Sequence, residues 1–506
     1  MDRSKMFLNI VAFGLFMIGT LVGTAGLDAQ QTVPNELTLE AALDVALQNN
    51  PTLLATRNDA NVAEWNVRSA YGSWIPTASL NSSLSWQGAG EQRFGTLTAG
   101  QLGFPDQPSF YFSSYNLGLN YQIDGRMLMA PGQAKRDRDA TRAQVRTAEA
   151  NLRLSVTKAY LEVLRQHEGL SLADQELERA QVNLRLAQGR QEVGSGNAID
   201  VQQAEVNVGR AQVTLLRSET GVETARIRLL QQLGVDLGAE PNMATAFEVT
   251  EPTFTSQGLY GMALDGNPGL QALRANEESS RYGVRMARSS YFPSLSLSAG
   301  WSGFTRQASN TEAQEAQALA QGQAQIENCI ALNELVSRLA DPLPQQDCSA
   351  FATPPSVIEA IRSGNNAFPF DFTGQPPSAS LSISIPIFQG LGRQQQLESA
   401  KAQLSDNRYR VREQELALEA DIESQLAVVR TAYESALIEE RNQALADEQL
   451  RLAQERYRLG FSNFIELVEA ETVKAQADRE RIAAIFAYHD AIADLEAIVG
   501  TPLRNR

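Results

Sequence analysis

The residue types that most often carry chemistry are scarce in this chain. Its two histidines, His167 and His489, each stand alone in a long helical pattern with no second ligand at metal-binding spacing. We read both as structural. There is no nucleotide-binding glycine loop, no HExxH and no nucleophile elbow. Gly23 and Gly26 of LVGTAG close an N-terminal apolar run and form no phosphate loop. No acid–base pair stands out, so the sequence offers no catalytic residue, no metal ligand and no cofactor. What remains is a cysteine pair, Cys329 and Cys348, in a polar stretch that also holds Pro342, Pro344 and Pro354. In an exported chain such a pair can close a small disulfide loop worth about 3 kcal/mol; two free thiols are the alternative.

Composition narrows the class. The 506 residues carry a formal charge of −16, which argues against a nucleic-acid partner. They are 43% apolar but only 7% aromatic, a balance poor in the bulky side chains that fill wide cores. At the N-terminus Arg3 and Lys5 precede an apolar run from Met6 to Val22, followed by Gly23, Thr24, Ala25 and Gly26. This is the layout of a secretory signal over residues 1–29, with cleavage near Ala29. A single membrane anchor is the alternative, the run being at the lower limit for a span. No other apolar run reaches the length of a transmembrane helix. If the mature chain enters a membrane, it must do so as a β-barrel.

The mature chain repeats itself. Ala46, Leu47, Asn50, Pro51, Leu53, Ala55 and Arg57 align without a gap on Ala263, Leu264, Asn267, Pro268, Leu270, Ala272 and Arg274. Further on, LRLAQGRQEVGSGNAIDVQQAE lies over LRLAQERYRLGFSNFIELVEAE, pairing Gly194 with Gly460, Asn197 with Asn463 and Glu205 with Glu471. We divide the mature chain into repeat 1, residues 30–250, and repeat 2, residues 251–506.

Each repeat has the same order of elements. A helical stretch (residues 37–71, and roughly 258–288) stops before Pro76 or Pro293. Alternating strands then begin at Thr77 and at Ser294, and second strands return from Ser113 and Ser378. The connection in repeat 1 spans 87–109; that in repeat 2, about 305–377, reads as a long polar external loop. Very long helical patterns follow at 133–193 and 394–459, reaching about 90–100 Å. Val156, Val163, Leu170, Leu177 and Leu184 recur at heptad spacing, as do Val201, Val208, Leu215, Val222 and Leu229 in the return helix. Each return helix plus the N-terminal helix of its repeat matches one long helix in length, so two short helices should stack end to end beside it. Four strands of membrane-spanning length cannot close a barrel, and lipid tolerates no open strand edge. The strands must therefore close with those of other chains, and a conducting pore favours three or more.

In this order, LTLEAALDVALQNNP, PSLSLSAG, IPIFQGLGR and RYRLGFSNFIELVEAE resemble the TolC-type family of outer-membrane efflux proteins over residues 37–503. The resemblance implies a mixed α and β fold: a tandem-repeat protomer of a trimeric, twelve-stranded transmembrane β-barrel continued by a periplasmic α-helical coiled-coil barrel. It implies an exit duct of a tripartite efflux or type I secretion system, and not an enzyme. The implied partners are two further copies of the chain, outer-membrane lipid, a periplasmic adaptor (membrane fusion) protein and an inner-membrane pump of RND or ABC type. It further implies a periplasmic gate at the helix-turn-helix tips, marked by Gly194, Asn197, Gly460 and Asn463. There the family's tip tyrosine falls on Tyr457 and its aspartate partner on Asp200. Two acidic residues that ring the aperture fall on Glu466 and Glu469, which share a helix face. Ser462 stands where an arginine lock is expected, a departure from the family pattern. The competing class is a periplasmic coiled-coil adaptor, which would need no strands.

Overall fold

The computed structural model describes residues 34–90, 93–98, 101, 108–245, 247–339 and 344–503. The expected signal at 1–29 lies outside them. Ten α-helices are described: α1 (Leu39–Asn49), α2 (Pro51–Gly72), α3 (Gly125–Glu192), α4 (Ala198–Leu233), α5 (Ser256–Gly266), α6 (Pro268–Ser289), α7 (Glu312–Ser337), α8 (Pro355–Gly364), α9 (Gly392–Arg458) and α10 (Phe464–Val499). The main strands are β1 (Thr77–Gln87), β2 (Phe110–Ile123), β3 (Ser294–Ala308) and β4 (Ser378–Ser384). Among the described residues, no helix is long and apolar enough to cross a membrane. The chain divides into two compact units, and each draws on both repeats.

The first unit, centred on residues 73–124 and 292–387, is a sheet with its long connection. The main strands run in the order β1-β2-β3-β4, antiparallel throughout, with β1 and β4 at the edges and the two-residue strand Thr373–Gly374 paired to β3 at Gly303 and Phe304. Alternation splits the side chains between two faces. Leu80 pairs with Leu117, Leu117 with Trp301, and Leu297 with both Tyr121 and Leu381, so one face is apolar. Its large side chains Leu80, Leu84, Trp86, Leu297, Leu381 and Ile383 stand exposed. The other face is Ser and Asn, with Ser83 Oγ 2.7 Å from Ser114 Oγ and Ser298 Oγ 2.7 Å from Ser380 Oγ. The residue-by-residue alternation thus fixes the register, since a slip of one would exchange the two faces.

The connection between β3 and β4, expected as a long polar loop over about 305–377, is in large part regular structure. Strand β3 continues to Ala308, and α7 and α8 occupy much of the chain between it and β4. Arg362 clasps Glu315 from α8 with Nε and Nη2 at 2.8 and 2.7 Å. Cys329 and Cys348 are joined in a disulfide. At the other end β4 stops at Ser384, short of the expected strand, because Pro386 cannot continue the ladder.

The second unit is helical. α3 packs against α2, α4, α6 and α10, and α9 packs against α6 and α10. Cores around Val156, Tyr160 and Leu229 in one repeat and Ile422, Tyr488 and Leu495 in the other hold the helices together. The expected continuous helices at 37–71 and 258–288 are each broken at an asparagine. Asn50 and Asn267 are extended (ψ 118° and 115°), since a following proline disfavours the helical region. Each break is a splice. The Asn50 and Asn267 carboxamide oxygens accept from Leu53 N and Leu270 N at 3.0 and 2.8 Å, capping the next helix. Their Nδ2 atoms donate to Gln232 O and Ile498 O, both at 2.8 Å, at the C-termini of α4 and α10. Gly234 and Gly500 end those helices at φ 73° and 80°, pressed so closely on Asn49 and Gly266 that a β-carbon would collide. Arg57 and Arg274 complete each joint, donating to Leu47 O and Leu264 O at 2.8 Å and pairing with Glu149 (2.7 Å) and Glu415 (3.1 Å). The residues that define the duplication are therefore those that weld short helices end to end.

Candidate functional site: the helix-turn-helix tips

The two hairpins α3–α4 and α9–α10 turn through short loops of one design. Gly194 and Gly460 take left-handed backbone at φ 75° and 81°, and their amides close back on Gln191 O (3.0 Å) and Tyr457 O (3.1 Å). Asn197 and Asn463 then cap α4 and α10, accepting from Ile199 N at 3.2 Å and Glu466 N at 2.9 Å. The tips share a core. Ala187, Ala204, Leu450, Ala453, Tyr457, Phe464 and Leu467 pack together, with the Tyr457 and Phe464 rings 5.7 Å apart.

Tyr457 is buried between the repeats, but its anchoring differs from that implied by the resemblance. No hydrogen bond joins its hydroxyl to Asp200 among those of the described residues. Burial raises the hydroxyl's pKa; Arg190 opposes the shift and Asp200 adds to it, so Asp200 is near without being bonded. What holds Tyr457 is Arg190, a residue that the tip motif does not single out. Its guanidinium lies 4.5 Å over the Tyr457 ring, and its Nη1 donates to Tyr457 O at 2.5 Å. Its repeat counterpart, Arg456, instead pairs with Glu466 at 2.7 Å. Glu466 is thus partly neutralised, whereas Glu469 is exposed. The Ser462 hydroxyl is buried without a hydrogen bond and latches nothing.

Above the tips a polar seam joins α3 to α10. Lys158 pairs with Asp494 at 2.7 Å, Arg479 with Glu176 at 2.8 Å, and Asn183 donates to Glu471. Burial raises the carboxyl pKa of Glu471, against the lowering effects of Asn183 and Arg179. Burial raises that of Glu176 too, opposed by Arg479 and Arg179. A carboxyl raised in the folded state takes up a proton on folding. The seam should therefore tighten as pH falls through the window just above the ordinary glutamate value, and loosen as pH rises through it. Glu471→Gln should remove much of that dependence. Hydrogen exchange of α3 and α10 at about pH 5 and about pH 7 measures it; an unchanged pH response in the variant would discard Glu471 as the source.

Comparison with known proteins agrees with this architecture. The family model for outer membrane efflux protein matches residues 42–235 and 360–501. The chain is similar to the outer membrane efflux protein BepC of Brucella suis, 26% identical over 300 residues, 58% of this chain and 60% of that protein. It is 29% identical over 184 residues to the pyoverdine export outer membrane protein OpmQ of Pseudomonas putida, covering 36% of this chain and 39% of that protein. The matched stretches thus span less than two thirds of either relative. In fold it resembles the outer membrane channel MtrE of Neisseria gonorrhoeae (TM-score 0.64, 18% identity, 94% of this chain and 96% of that one). It also resembles the outer membrane protein VceC of Vibrio cholerae (TM-score 0.63, 17% identity, 92% and 96%). The mixed α and β fold expected from the sequence is the one these channels share. With the family match covering the Asn50 splice of repeat 1 and both tips, the chain belongs to the outer membrane efflux protein family.

Proposed function

We propose that three copies of this chain form an outer-membrane exit duct that passes substrates from an inner-membrane pump to the exterior. The observation that carries this reading is the sheet. Its four strands present an apolar face and a Ser/Asn face, and β1 and β4 leave two unpaired edges. In lipid those edges must find partners, and the apolar face must point outward. Twelve strands from three protomers close a barrel wide enough to leave an aqueous lumen, whereas eight leave one filled with side chains. Each tandem repeat, residues 30–250 and 251–506, then contributes two strands, one long helix and a spliced pair. A strandless adaptor does not account for the sheet. The duct reading brings with it a periplasmic adaptor and a pump of RND or ABC type. It also makes the tips, with Tyr457, Asp200, Glu466 and Glu469, the periplasmic gate. Mass measurement of the detergent-solubilised outer-membrane protein tests the assembly. Three chains are expected; a monomer would overturn it.

A further inference from the structure

The four strands carry one charged side chain among all their residues, Arg306, near the end of β3. Alternation places it on the Ser/Asn face, in line with Ser298, Gly300, Ser302 and Phe304. Its cross-strand partner is Phe112, and Phe110 is opposite Gln87 on the same face. The guanidinium stands 3.8 Å from the Phe110 ring centroid, and the Phe112 and Phe304 rings stack with centroids 6.0 Å apart. Three phenyl rings and one cation therefore cluster on an otherwise neutral, hydroxyl-rich surface. The opposite face is treated differently at the same end of the strands. There Phe368 and Phe372, from the β3–β4 connection, pack on Tyr111 and Tyr115 with centroids 5.1 and 5.0 Å apart, and Ser113 and Thr305 are buried. The connection thus covers part of the apolar face at this end and leaves Phe304 and Arg306 exposed.

We infer that Phe110, Phe112, Phe304 and Arg306, repeated by threefold symmetry, form a cationic aromatic collar in the outer mouth of the lumen that makes exit selective for anions. The inference rests on the duct reading, which turns the Ser/Asn face inward. The strand ends bearing the collar are those joined by residues 88–109 and 309–377; the opposite ends lead by chain connection into the helices. A charge on the lipid face would be costly at membrane depth, but on the lumen face it meets water. Rings of arginine select anions in a pore, and neutral serine walls add no competing fixed charge near them. Phe110 fixes the guanidinium through its ring face, so the cation stays at the wall and does not swing free.

Reversal potentials across planar bilayers in a KCl gradient test the collar. Arg306→Gln is expected to lower the chloride-to-potassium permeability ratio about twofold or more, and Arg306→Lys to keep it near the parent value. A ratio unmoved by Arg306→Gln would overturn the collar. A second measurement stands apart from conductance. Both native cysteines are held in the disulfide, so Phe304→Cys supplies a unique thiol. On intact cells it should react with a membrane-impermeant maleimide. Reaction with a lipid-soluble maleimide alone would place this face in lipid and overturn the collar. An outer-membrane trimer that labels from outside yet passes no current would count against the duct and leave the collar's placement standing.

Discussion

Lys474→Met is expected to destabilise the α9–α10 hairpin by about 3–5 kcal/mol, although it replaces a charge with an apolar side chain in a helical core. Lys474 is only 6% exposed, and its ammonium pairs with Asp478, itself 8% exposed, and with Asp447 at 3.1 Å. Gln443 Nε2 supplies one more donor to Asp478, at 3.1 Å. Without Lys474, the Asp478 carboxylate keeps that single neutral donor in a site shielded from water. A buried charge stripped of its partner costs far more than the intact pair contributes. The matching experiment is the double variant Lys474→Met with Asp478→Leu, which removes both charges and should recover most of the loss. Hydrogen exchange across α9 and α10 reads both. Equal loss in the single and double variants would show that packing, not an orphaned carboxylate, sets the cost.

The same lysine shows why parts of this fold were hidden in the sequence. Lys474 and Asp478 read as an ordinary surface pair one helical turn apart. Lys474 nevertheless lies one heptad beyond Leu467, in phase with a buried core position, and that phase was the available signal. The strands were legible because lipid and water impose a strict alternation, which no helix period imitates. Helix α7 was not: Ala and Gln fill most of its first half, and Gly322 and Cys329 are its buried residues, so no apolar stripe announced it. The breaks at Asn50 and Asn267 were present twice as Asn-Pro, a cap followed by a residue suited to the first helical turn. A continuous helical pattern runs through both and masks the splice, whose carbonyl partners come from sequence-distant helices. Arg190 was legible only by comparing the repeats, where it aligns with Arg456. Which of the two arginines reaches across to the other hairpin depends on packing that the alignment does not contain.

That asymmetry decides the expected behaviour of the proposed gate. Arg190 crosses from repeat 1 to repeat 2 and holds Tyr457 in two ways, through its backbone carbonyl and its ring face. A charged donor to a carbonyl contributes about 1.5–3 kcal/mol and an exposed to partly buried cation–π contact about 0.5–2. The two are not independent, so losing both should cost the closed arrangement about 2–3 kcal/mol, which is about a 30- to 150-fold rise in the open-to-closed ratio. Arg190→Ala should therefore raise resting conductance in planar bilayers strongly. Arg190→Lys, which keeps a cation but loses the planar fork, should fall between. Tyr457→Phe preserves both the carbonyl and the ring, and removes a hydroxyl that makes no bond to Asp200. It should leave resting conductance near that of the parent. The acidic residues separate by the same reasoning. Glu466 is already paired with Arg456, so Glu469→Ala should reduce periplasmic cation selectivity more than Glu466→Ala, and Arg456→Gln should increase it. If Tyr457→Phe opened the channel as far as Arg190→Ala, the latch would be the tyrosine hydroxyl after all, and Arg190 would be no more than a neighbour of it.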